Sequence, residues 1–127
     1  MKPQTNIQRL ASAIEARANC ERSPVNEYGR NLHAETIAAI MREAPSGSGI
    51  DCGTKLDEER SRLDRVVFVV EYHRMIDGYY DGWQTYRVTV RPSFSGIVVD
   101  VTGRGDEQTK DYLADVYRTW SMEECHQ

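Results

Sequence analysis

Val66-Val67-Phe68-Val69-Val70-Glu71-Tyr72-His73 is the stretch on which the fold turns. It is β-branched and aromatic, too short for a typical helix, and bounded by charged and glycine-containing segments, which reads as a central strand. Downstream, Trp83 to Arg91 alternates: Tyr86, Val88 and Val90 fall on one side, and Thr85, Arg87, Thr89 and Arg91 on the other. That period of two marks a half-buried strand. Pro92 is expected to end its hydrogen-bonding ladder, Ser95-Gly96 to turn the chain, and Ile97, Val99 and Val101 to line one face of a third strand. An antiparallel meander is the simplest way to connect them.

Helices flank this core. Ile7, Leu10, Ala11, Ile14 and Ala18 recur at helical spacing between about Thr5 and Glu21, with Thr5 as cap. Ser23-Pro24 offers a cap followed by a proline, and Tyr28, Leu32, Ile37, Ile40 and Met41 form a looser stripe through Glu43. So short a connection predicts an antiparallel helical hairpin packed through alanine-rich faces. Asp106 caps a last helix with Tyr112, Leu113, Val116, Tyr117 and Trp120 as its buried stripe. The order α-α-β-β-β-α predicts a two-layer α+β fold, with a three-stranded antiparallel sheet covered on one face by helices, as a single α+β domain over residues 1–127.

The chain has 127 residues, adequate for a core without metal or disulfide staples. Its 16 basic and 20 acidic residues give a net charge of −4, which argues against a nucleic-acid binder relying on a broad basic field. The acidic clusters at Asp57-Glu58-Glu59, Asp106-Glu107 and Glu123-Glu124 are short and scattered, more in keeping with solvated faces than with a mimic of DNA charge. Cys20, Cys52 and Cys125 are odd in number and widely spaced, so no disulfide framework is expected and a reducing cytoplasm fits best. The amino terminus lacks the apolar core of a signal peptide, and no run approaches the length of a membrane span.

Each candidate site has a dull reading beside its functional one. The loop Ser46-Gly47-Ser48-Gly49-Ile50-Asp51-Cys52-Gly53-Thr54-Lys55 suggests phosphate binding, but it follows a helix and its lysine comes after the threonine, so the P-loop pattern fails. Its amides can form an anion nest, or it is a connector. Cys52 and His73 suggest a nucleophile pair, as in a small ligand-binding or hydrolytic enzyme, although Asp51 beside Cys52 works against thiolate formation. Cys20, Cys52, Cys125, His126 and His33 fall in no metal-ligand spacing, and no cofactor signature is complete. Arg104-Gly105-Asp106 spells an adhesion tripeptide but reads better as loop, glycine turn and helix cap.

Two sets point to a binding partner. Arg87 and Arg91 face outward with Thr85 and Thr89, beside Glu71, His73 and Asp100, giving either cross-strand ion pairs on a solvated face or recognition of a carboxylate or phosphate. Tyr79, Tyr80 and Trp83, with Asp81-Gly82 as a turn, either cover the rim of the core or form an interface hot spot. Nucleic acid is disfavoured as the primary partner; binding it through Arg87 and Arg91 would make affinity fall steeply with salt. An exposed sheet edge could support a homodimer.

Taken together, Ala16-Arg17-Ala18-Asn19-Cys20, the loop from Pro45 to Leu56, Tyr79-Tyr80-Asp81-Gly82-Trp83 and Val90-Arg91-Pro92-Ser93-Phe94 resemble a group of small proteins encoded by bacteriophages and other mobile elements. The likeness covers most of the chain and brings no catalytic residues with it. It implies an accessory protein in the cytoplasm of a bacterial host cell, one that binds a host protein complex and inhibits a defence system such as CRISPR.

Overall fold

The computed structural model describes residues 3–21, 26–45, 54–62, 64–76 and 79–125, and for residues 73–83 it describes no side chains. The elements follow in the order α1 (Asn6–Glu21), α2 (Glu27–Glu43), β1 (Thr54–Leu56), β2 (Val66–Ile76), β3 (Tyr79–Ser93), β4 (Gly96–Gly103) and α3 (Glu107–Met122). The four strands form one antiparallel sheet in the order β1-β2-β3-β4. It is an α+β fold, with one strand more than the sequence led us to expect.

Register follows from the alternation. Leu56 lies opposite Phe68, Phe68 opposite Val88, and Val88 opposite Val101, so one apolar row crosses the sheet. Phe68 and Val88 are fully buried, as are Leu10 of α1, Ile40 of α2, and Leu113 and Tyr117 of α3. Each such side chain contributes about 1.5–3 kcal/mol by leaving water. Phe68 is the hub: its ring centroid lies 5.1 Å from that of Tyr117 and 5.8 Å from that of Trp120. The helices therefore seal one face of the sheet.

The caps read at Thr5 and Asp106 hold. Thr5 and Gln8 exchange side chain to backbone bonds across the start of α1, a reciprocal cap, and the Asp106 carboxylate accepts from the Thr109 amide at 2.9 Å. Arg9 meets Glu43 at 3.1 Å while Gly29 lies against Cys20, so α1 and α2 run antiparallel. Residues 4–6 are also tied to residues 123–125: Asn6 accepts no freedom there, its amide donating to the Glu123 carbonyl at 3.0 Å and its side chain to the Trp120 carbonyl at 2.8 Å.

Four expectations need correction. The fourth strand is β1, too short to show a period. Of the aromatic turn read over Asp77 to Trp83, Asp77 and Gly78 lie outside the described residues, and Tyr79-Tyr80-Asp81-Gly82-Trp83 is the start of β3, with Tyr79 opposite Ile76, Tyr80 opposite Met75 and Trp83 opposite His73; Asp81 and Gly82 together oppose Arg74, a β-bulge. Pro92 does not stop the ladder, which runs to the Ser93 and Gly96 pair. It lies past Val90, where pairing with β2 has ended, so its missing donor costs little. Finally, Tyr28, Leu32 and Tyr112 are exposed, at 81%, 47% and 55%. Among the described elements α2 packs mainly on α1, and the Tyr112 ring lies tilted 6.1 Å from that of Tyr72. Ser23-Pro24 lies outside the described residues; the described helix opens at Glu27, with Asn26 before it.

Candidate binding face and its arginine corner

The sheet face turned away from the helices carries the odd-numbered set of β3. Arg87 stands between Val69 and Thr102, and Thr89 between Val67 and Asp100. Arg91 lies opposite Val98, its Nε 4.0 Å from the Asp100 carboxylate, with both side chains more than half exposed. An ion pair so open is worth little, leaving Arg91 available. Arg87 is held differently.

Its holder is the segment joining β1 to β2. Asp57 begins a single tight turn: its side chain accepts from the Arg60 amide at 3.2 Å, and its carbonyl accepts from the Ser61 amide at 3.0 Å. Ser61 is buried and acts as a rivet, its hydroxyl donating to the Asp57 carbonyl at 2.7 Å and accepting from the Val67 amide at 3.0 Å. The turn is thereby fixed over the sheet corner. Arg87 Nη1 then donates to Asp57 Oδ2, and Arg60 Nε approaches the same oxygen at 3.8 Å. Burial pushes the Asp57 carboxyl up, but the hydrogen bonds from Arg87 and the Arg60 amide, with the charges of both arginines, outweigh it and hold the group below its ordinary value.

Beyond Ser61 the chain doubles back. Arg62 and Arg65 exchange both backbone hydrogen bonds, at 2.8 and 3.2 Å. Such a pair sets its two side chains next to each other on one side of the ladder. Arg62 Nη1 donates to the Glu59 and Ser61 carbonyls. Arg60, Arg62, Arg65 and Arg87 line one open cavity of ≈ 260 Å³ together with Thr89, Val67 and Glu59. In a chain of net charge −4 these four arginines share one lining, with Asp57, Glu58, Glu59 and Asp64 in the same segment.

Of the partner-binding residues read from the sequence, Arg87 and Arg91 thus share the open face. Tyr79, Tyr80, Asp81 and Trp83 are placed as backbone in β3, and their side chains lie outside the described residues, as does that of His73. Asp51 and Cys52, and with them the proposed Cys52 and His73 pairing, lie outside them too, and so does His126. What is described of the glycine-rich loop is its two stems. Tyr117 donates from its hydroxyl to the Pro45 carbonyl at 2.7 Å and meets the Thr54 hydroxyl at 2.6 Å, while Thr54 also donates to Pro45. Among the described residues no group of three or more His, Cys, Asp or Glu side chains could hold a metal ion, and Cys20 and Cys125 are free thiols.

The sequence reading missed Arg60, Arg62 and Arg65. The signal was there in the spacing of arginines from Arg60 to Arg65, but it was masked by the acidic residues between and before them. No described helix is long and apolar enough to cross a membrane. No family model, curated protein or solved structure matches the chain.

Proposed function

We propose that this protein acts by protein–protein binding through the open face of its sheet, as a phage-type accessory protein that inhibits a bacterial defence system of the CRISPR kind from within the host cytoplasm. The observation that carries the binding reading is the one-sided burial of the sheet. Helices cover Phe68, Val70, Tyr86, Val88 and Val90, while on the opposite face Val67 is buried and the other described positions present arginine, threonine, acidic and half-buried valine side chains. At its end, on the β3–β4 turn, stands the fully exposed Phe94. A mixture of arginine, aromatic and aliphatic groups on a rigid platform is the make-up of interface hot spots.

The test is a pair of double variants. Thr89→Glu with Arg91→Glu, and Tyr80→Ala with Trp83→Ala, should each abolish capture of the partner while the circular dichroism spectrum stays unchanged. Unaltered affinity in both would remove this face from consideration.

One observation favours a second reading, nucleic-acid binding: the arginine corner extends the positive surface beyond Arg87 and Arg91. That reading requires affinity for an oligonucleotide to drop steeply between low and physiological salt. Affinity indifferent to salt would contradict it.

A further inference from the structure

We propose that the arginine corner is a binding site for one phosphomonoester dianion. The claim goes beyond partner binding by the sheet face and stands independently of it.

The starting point is a cost. Arg62 and Arg65 occupy directly opposite positions of a hydrogen-bonded backbone pair, the arrangement in which like charges destabilise a ladder. Among the described residues Arg62 is bonded to backbone carbonyls and neither guanidinium forms an ion pair within 4.0 Å, while Asp64 and Glu58 line the adjoining cavity with them. Two more guanidiniums, those of Arg60 and Arg87, converge on the same cavity and share the single carboxylate of Asp57. A surface loop with no ligand to bind gains nothing from this crowding.

The charge count selects the ligand. Four arginines and one carboxylate, Glu59, line the cavity, and Asp57 is bonded to Arg87, which leaves two positive charges in excess here; Asp64 lines the adjoining cavity with Arg62 and Arg65. A phosphomonoester above its second pKa of about 6 carries close to two negative charges; a carboxylate or a backbone phosphodiester carries one. Guanidinium forks also match the tetrahedral oxygens of phosphate with paired hydrogen bonds. The Thr89 hydroxyl offers one further donor from the lining. At ≈ 260 Å³ the cavity is several times the roughly 30 Å³ taken by one water, room for a phosphate group with part of what it esterifies.

The frame is prepared for this. Ser61 fixes the turn, Asp57 holds Arg87 and two backbone carbonyls hold Arg62, so a phosphate would order chiefly Arg60 and Arg65, and the entropy lost on binding is correspondingly reduced. The ligand also removes the repulsion between the two, so binding and stability are coupled.

The experiment is a titration of the labelled full chain with inorganic phosphate at about pH 7.5 and constant ionic strength, following arginine Nε–Hε resonances. Saturable shifts confined to Arg60, Arg62, Arg65 and Arg87 are expected, with acetate at least about tenfold weaker, as one charge replaces two. Arg62→Gln and Arg65→Gln should each weaken phosphate by about tenfold, the loss of one charge-assisted bond. Both should fold, their side chains being exposed, and phosphate should raise the Tm of the parent but not of the double variant. Shifts that rise linearly, or equally with acetate, overturn the proposal. A phosphoserine peptide binding more tightly than its unphosphorylated form supports it. An oligonucleotide without terminal phosphate outcompeting inorganic phosphate overturns it in favour of a nucleic-acid backbone.

Discussion

Asp57 shows how much one carboxylate can organise. It caps its own turn, receives Arg87 from β3 and steadies Arg60. Asp57→Asn should lower stability by about 1–2 kcal/mol at neutral pH, the worth of a hydrogen bond to a charged group. Because the folded carboxyl titrates below its unfolded value, its stabilisation is complete above about pH 4 and fades as pH falls through the folded value. Urea denaturation should therefore find the gap between parent and variant closing as pH falls below the ordinary carboxylate range; a gap that persists in acid would mean the carboxylate acts by shape alone. Gly105 is the second such residue. A Cβ there would lie 1.6 Å from the Tyr86 hydroxyl, and one built on Gly103, at φ 152°, would lie 2.9 Å from the same ring. Gly105→Ala should cost about 3 kcal/mol by overpacking, visible as a fall in Tm. The adhesion-like tripeptide is thus explained by a tyrosine beneath its glycine and a helix capped by its aspartate.

At the scale of elements, β1 depends on α3. Tyr117 is fully buried, and its hydroxyl joins Pro45 to Thr54, closing the two stems over the helix. Tyr117→Phe should speed amide exchange in β1 by about tenfold while α3 keeps its protection, since one hydrogen bond of about 1–1.5 kcal/mol is lost locally. Equal acceleration in both would show that Tyr117 acts through the core and not through the stems. The same element shows where sequence reading fails. α1, α3, β2 and β3 were legible because each is long enough to display a period and is bounded by caps or turns. Thr54 to Leu56 is shorter than one cycle of evidence, and only pairing with β2 makes it a strand. Tyr79 to Trp83 looked like a turn because tyrosine, aspartate and glycine alternate there; a bulge lets β3 absorb them. Tyr28 and Leu32 kept helical spacing but are left exposed among the described residues, which no local pattern can reveal.

For the whole molecule, the account rests on the two unlike faces of one sheet. Arg87 and Arg91 were legible as outward because alternation fixes sides, whereas Arg60, Arg62 and Arg65 were hidden in a mixed-charge run that becomes a single cationic corner only when the turn at Asp57 and Ser61 folds. The measurement that tests the central claim most directly is quantitative capture from a nuclease-treated bacterial lysate at moderate salt. It compares the parent, the Thr89→Glu with Arg91→Glu variant, and Tyr28→Ala with Leu32→Ala on the helical side as control. A stoichiometric protein partner held by parent and control but lost from the sheet variant is the predicted result. A partner lost only when Tyr28 and Leu32 change, or held equally by all three, would contradict it.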